Sequence, residues 1–227
     1  ESQQLGLELD WEDQEVFGCD SVQTAVHNDR LYWAWGDTVL RTRPVGLFHM
    51  ISATTPLRPL ESFEPPLRLR YRYFNDKKGR LRVVAKMTGP GPTWLSGVAS
   101  LPDELRRQRL VAAYVNIKAP MIAYERGLCV WSESTERFEH LRTIWSKSEE
   151  SPHAPNYPRG HAVFWTDSDD RRWVLFGDPF PKLRCGATFE AWSDPGQWET
   201  LEVQQAVHAL VDDKPVTPHR GSIAWNA

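Results

Sequence analysis

Cysteine is scarce in this chain of 227 residues. There are three, Cys19, Cys129 and Cys185, odd in number and far apart. That excludes a disulfide framework, and without a C-x-x-C pair it gives no zinc site. Long apolar runs are missing too. No stretch approaches the roughly 20 apolar residues of a membrane-spanning helix, so no membrane span is expected. Neither sign of charge dominates: 27 Lys and Arg stand against 30 Asp and Glu, a net charge of −3. That balance disfavours a nucleic acid or an anionic membrane as partner. H-E-x-x-H, G-x-S-x-G and Walker sequences are absent, which leaves zinc-protease, serine-hydrolase and P-loop chemistry without support. The first residues, Glu1-Ser2-Gln3-Gln4, carry neither an initiator Met nor a signal pattern, so the start reads as trimmed.

What is present points to β-structure. Hydrophobic residues make up 41% and charged residues 25%, enough for a sizeable core. Seventeen prolines, fourteen glycines and eleven tryptophans indicate many short elements joined by turns.

One repeat organises the chain. Gly18, Gly97, Gly160 and Gly221 each open an apolar run, for example Gly160-His161-Ala162-Val163-Phe164-Trp165 and Gly221-Ser222-Ile223-Ala224-Trp225. A second run follows each of the first three, beginning at Leu31, Leu110 and Trp173. The turns ahead of two of them, His27-Asn28-Asp29-Arg30 and Asp167-Ser168-Asp169-Asp170, have hairpin composition. Third runs are read at 47–52, 127–132 and 187–193, and more polar fourth strands at 140–145 and 200–207. Four aromatic-rich strands per unit is the signature of propeller blades. The alternative is a β-sandwich with chance similarity among its hairpins. The first unit carries extra length, and residues 67–85 read as a hairpin turning at Asn75-Asp76-Lys77-Lys78-Gly79. After it, Gly89-Pro90-Gly91-Pro92 is a stiff connector; its prolines lack the amides a phosphate loop must offer. The expected architecture is therefore all-β: a single domain over 1–227 with units at about 17–93, 94–157, 158–217 and 218–227. That makes an incomplete five-bladed β-propeller, three blades plus the start of a fourth, with the C-terminus truncated.

The phrase Arg30-Leu31-Tyr32-Trp33-Ala34-Trp35-Gly36-Asp37-Thr38, paired with Gly177-Asp178-Pro179 in a later repeat, resembles the first blade of five-bladed glycosidase propellers. That group includes arabinanases, levansucrases and invertases, together with bacterial relatives. Residues 48–56 followed by Phe63-Glu64 match the same pattern, and the resemblance extends over about 17–227. It implies a glycoside hydrolase-like, carbohydrate-binding protein with a central funnel lined by the first strand of each blade, and it suggests a secreted or periplasmic location. It also implies three funnel carboxylates. Asp20 matches the first, a general base or nucleophile. The second first-strand offers only Ser96 and Ser100, and the third offers Arg159 and His161 with no Glu. That departure counts against hydrolysis by the group's mechanism.

Asp37, Glu125 and Asp178 are the reserve acids. Each has a plainer reading: turn capping for Asp37 and Asp178, and a surface ion pair with Arg126 for Glu125. Asp20 is equally readable as a structural strand-end acid. Arg159, His161, His219 and Arg220 flank equivalent glycines and would position a sugar. Trp94 would serve as a stacking platform. No cofactor is expected, although the resemblance permits a channel metal ion such as calcium with one His ligand. The expected partner is a carbohydrate, bound or acted on in the funnel; a non-catalytic propeller serving as a ligand- or protein-binding module is the rival.

Overall fold

A computed structural model describes residues 16–40, 49–63, 69–202 and 207–216. It is all-β, with four antiparallel sheets, none of them closed. The first sheet holds β1 (Val16–His27), β2 (Arg30–Leu40), β3 (Ile51–Pro56) and β4 (Arg72–Tyr73), in that spatial order. The second holds β5 (Thr93–Pro102), β6 (Gln108–Lys118), β7 (Ile122–Ser132) and β8 (Arg137–Ser146). The third runs through β9 (His161–Thr166), β10 (Arg172–Gly177), β11 (Pro181–Gly186) and β12 (Glu199–Thr200). A two-stranded ribbon, β13 (Val207–His208) with β14 (Pro215–Val216), follows. The repeat read from the sequence thus corresponds to three four-stranded sheets in chain order. Residues 217–227, including His219, Arg220 and the opening of the fourth unit, lie outside the described residues.

Hairpin chemistry sets the local geometry. Asn28 and Asp29 both adopt positive φ, 48° and 58°, in a two-residue loop joining His27 to Arg30. That is the primed turn whose twist suits a hairpin. Three other turns share one pattern, Asp at the first position, a positive-φ residue three later and Arg four later: Asp76/Gly79/Arg80, Asp103/Arg106/Arg107 and Asp167/Asp170/Arg171. In each, the Asp carboxylate accepts backbone N–H groups two and four residues on, at 2.8–3.0 Å. The carboxylate supplies acceptors that the tight loop cannot.

The three large sheets stack face to face. One core layer lies between the first and second sheets and includes Tyr32, Met50, Leu95, Leu110, Tyr114, Trp131 and Phe138. Another lies between the second and third, with Leu101, Val111, Leu128, Val174, Phe176 and Trp192. The middle sheet is therefore buried on both faces, which is why Leu110-Val111-Ala112-Ala113-Tyr114 reads as a continuous apolar run. In β5 a bulge after Ser96 shifts the register against β6. It switches the alternation, so Leu95 faces the first sheet whereas Leu101 faces the third.

Two expectations are corrected. The third run of the third unit, 187–193, is not a strand. The strand is the earlier β11, and Phe189–Ser193 form a short helix, α1. Thr188 caps it by accepting the N–H of Ala191, and Trp192 is fully buried beneath. The stretch 67–85 is likewise not a simple hairpin. Its first arm supplies β4, the outer strand of the first sheet, while Leu67 and Arg68 lie outside the described residues. After the Asp76 turn and a single bridge, Asn75 to Leu81, the chain crosses to the second sheet, where Ala85 bridges Phe138. Burial of Val84, Ala85 and Met87 between the two sheets draws it there.

Candidate functional site

The first strands β1, β5 and β9 lie side by side, and glycines join them. The N–H of Gly97 donates to the carbonyl of Gly160 at 2.7 Å and to Gln23 Oε1 at 3.2 Å, while the N–H of Gly160 donates to Ser96 Oγ at 2.6 Å. Gly97 and Gly160 have φ of +62° and +88°. The matching residue of β1 is Ser21, at φ 51°, beside a register shift between Asp20 and Gln23. The sequence register, which opened the first unit at Gly18, is therefore displaced by three residues. Ser21 holds a conformation that glycine holds in the other two units, and composition gives no signal of that.

The corrected register sorts the candidates. The residue before each positive-φ position is Asp20, Ser96 or Arg159. Asp20 pairs with Gly36 across the sheet, Ser96 with Ala113, and His161 with Gly177. The next residues along the second strands are Asp37, Tyr114 and Asp178. Asp20, Asp37, Trp94, Glu125, Arg159, His161 and Asp178 thus all sit toward one end of the three sheets. Arg159 is exposed, and His161 and Asp178 are half-buried. Trp94 is half-buried and packs against the core between the first two sheets.

Glu125 has the most developed surroundings. It lies on β7 opposite Asn116 of β6. Its Oε1 accepts the Tyr114 hydroxyl at 2.9 Å and Asn116 Nδ2 at 3.1 Å. Asn116 Oδ1 in turn accepts the Thr93 hydroxyl at 2.7 Å, and the Thr93 N–H donates to His49 Nδ1 at 3.2 Å. A chain of hydrogen bonds so runs from β7 across β6 and β5 to the first sheet. Burial, reinforced by the Glu125 carboxylate, pushes the Tyr114 phenol well above its ordinary value, which keeps it a donor. The ion pair expected between Glu125 and Arg126 is not formed. Adjacent strand residues point to opposite faces, and Arg126 instead donates to the Tyr157 hydroxyl and stacks near Trp145. Thr93, Tyr114, Asn116 and His49 were not singled out in the sequence. Asn116 was the available signal, a lone amide inside an apolar strand.

Chemically, this end offers the carboxylates of Glu125 and Asp178, the exposed guanidinium of Arg159 and the half-buried rings of Trp94 and His161. Among the described residues no group of three or more His, Cys, Asp or Glu is arranged to hold a metal ion. Among them, no helix is long and apolar enough to cross a membrane. Comparison of the chain with protein-family models, curated proteins and solved structures returns no match.

Proposed function

We propose that the chain is a carbohydrate-active, five-bladed β-propeller type of protein that binds a glycan at the end of the sheets where β1, β5 and β9 begin. The observation that carries this reading is the contact between those strands. Three four-stranded sheets follow one another in chain order, and the first strand of each meets the next through Gly97 and Gly160. A funnel lined by first strands is the arrangement such a propeller requires. The candidate residues then rim one opening. Arg159 and His161 supply donors for sugar hydroxyls, and Trp94 a flat apolar face.

Hydrolysis requires two carboxyl groups on opposite sides of the scissile bond, one ionised and one protonated. Asp20 is the candidate base or nucleophile; Glu125 and Asp178 are the candidate acids. The rival reading, a non-catalytic binding module, draws on a specific observation. The positions equivalent to Asp20 are Ser96 and Arg159, neither of them an acid, and Glu125 already accepts two hydrogen bonds.

The test is a product-release screen on a broad oligosaccharide panel, run beside glycan binding, with Asp20→Asn and Glu125→Gln. Loss of a general acid–base group lowers turnover by roughly 10²–10⁴-fold. Release abolished by Asp20→Asn supports hydrolysis with Asp20 in the site. Binding without release supports the module. Neither release nor binding on any glycan overturns the proposal.

A further inference from the structure

A second site lies at the other end of the first two sheets, beside the turn joining β1 to β2. A cleft of about 190 Å³ opens between the sheets there, and it includes Arg30, Arg72, Thr54 and the rings of Phe74 and Trp131. Tyr32 pairs with Thr54 across the first sheet and Thr54 with Arg72, so Tyr32, Thr54 and Arg72 share one face. Arg30, two residues before Tyr32, falls on the same face. The Arg30 guanidinium is fixed by two bonds to Thr54 Oγ1, Nε at 3.0 Å and Nη2 at 2.7 Å, and among the described residues its other donors meet no acceptor.

The two carboxylates of this cleft do not pair with its two arginines. Its two carboxylates bond other groups: Glu133 Oε1 meets His27 Nε2 at 3.0 Å and accepts Asn28 Nδ2 at 3.2 Å, and Glu136 pairs with Arg82 at 2.9 Å. Among the described residues neither Arg30 nor Arg72 forms an ion pair with a carboxylate. Two guanidinium groups on one face, neither bonded to a carboxylate, repel each other, and an anion bound to both relieves that repulsion. Their planar forks suit a carboxylate. Beside them Phe74 and Trp131 stand with centroids 5.1 Å apart, and Trp131 meets Tyr32 edge-on at 5.4 Å. That wall suits a flat or apolar body.

We propose that this cleft binds a small organic carboxylate, its carboxyl group on Arg30 and Arg72 and its ring against Phe74 and Trp131. The site is separate from the glycan-binding end and does not depend on that reading. The same chemistry is offered by an aryl carboxylate and by a uronic acid, and the experiment separates them. Isothermal titration of the chain uses benzoate and glucuronate, with benzamide and inorganic phosphate as comparators. Benzoate or glucuronate binds saturably, and Arg72→Gln and Arg30→Gln each weaken it at least tenfold. Arg171→Gln, at an exposed arginine in the turn before β10, leaves it unchanged. Arg72 is exposed, so Arg72→Gln folds as the parent does, checked by its thermal melt. Failure of both carboxylates to bind overturns the proposal. So does binding indifferent to both cleft variants, or equal affinity for benzamide or phosphate.

Discussion

Gly97→Ala is the sharpest test of how the sheets are joined. At φ +62° an alanine sits in the left-handed region, which costs about 1 kcal/mol for an L-residue. Space is the larger obstacle. A Cβ there would lie 2.5 Å from the Pro158 carbonyl oxygen and 3.1 Å from the Phe176 ring. The first neighbour is backbone and cannot rotate away, so β5 or the strand entry before β9 must shift. That shift strains the bonds from the Gly97 N–H to Gly160 and Gln23. Each is worth about 1 kcal/mol net, with more lost if a buried donor is left unpaired. The total is about 3 kcal/mol, or roughly 6–12 °C in Tm for a chain of this size. Gly79→Ala is the matched control. Its φ is +76°, yet nothing lies within 4 Å of the added Cβ, so it costs only the backbone strain of about 1 kcal/mol. Urea and thermal melts of both variants measure the difference. If Gly97→Ala falls within about 0.5 kcal/mol of Gly79→Ala, a difference ordinary for surface changes, the close contact between β5 and the chain before β9 is refuted.

Thr188→Ala removes the cap of α1 and lowers stability by about 1 kcal/mol, read from a urea midpoint; Thr188→Asp, which also accepts the Ala191 N–H, retains most of it. Acid should loosen the turns. The Arg80 side chain holds the Asp76 carboxyl below its ordinary value, Arg107 does so for Asp103, and the Trp173 indole N–H for Asp167. A carboxyl with a depressed folded-state pKa contributes stability that is fully present above the unfolded value of about 3.9 and is lost as pH falls through the folded value. Denaturant midpoints should therefore drop between pH 5 and pH 2, and Asp103→Asn should show a shallower drop than the parent; an equal slope removes Asp103 from the account. Glu125→Gln replaces one acceptor oxygen with a donor, so glycan binding measured beside the Asp20→Asn variant should weaken if the Tyr114–Asn116 network shapes the site.

Much of the strand pattern was legible in the sequence because strand signals are local. Gly-led apolar runs, the Asn28-Asp29 loop and the Asp167 turn each state their conformation within a few residues. The misreadings came where distant chain decides. Residues 187–193 have strand-like alternation, but burial of Trp192 in the core between the second and third sheets and the Thr188 cap favour a helix there. The arm after Asp76 leaves its hairpin partner because Val84 and Ala85 gain burial against another sheet. Acidic residues were legible as candidates by type alone. Which of them keeps company with donors was not, since Glu125 meets Tyr114 and Asn116 through pairing between strands.

By itself the sequence determined an all-β chain with a repeated four-strand unit, and it determined the absence of a disulfide framework and of a long apolar run, because composition and period-2 alternation are properties of neighbouring residues. Only the tertiary structure decided the rest. It set the register that aligns Ser21 with Gly97 and Gly160, and among the described residues it left Arg30 and Arg72 without an ion-pair partner in a cleft beside Trp131. Those relations join residues far apart in the chain, and they exist only once the sheets stack and fix which side chains share a face.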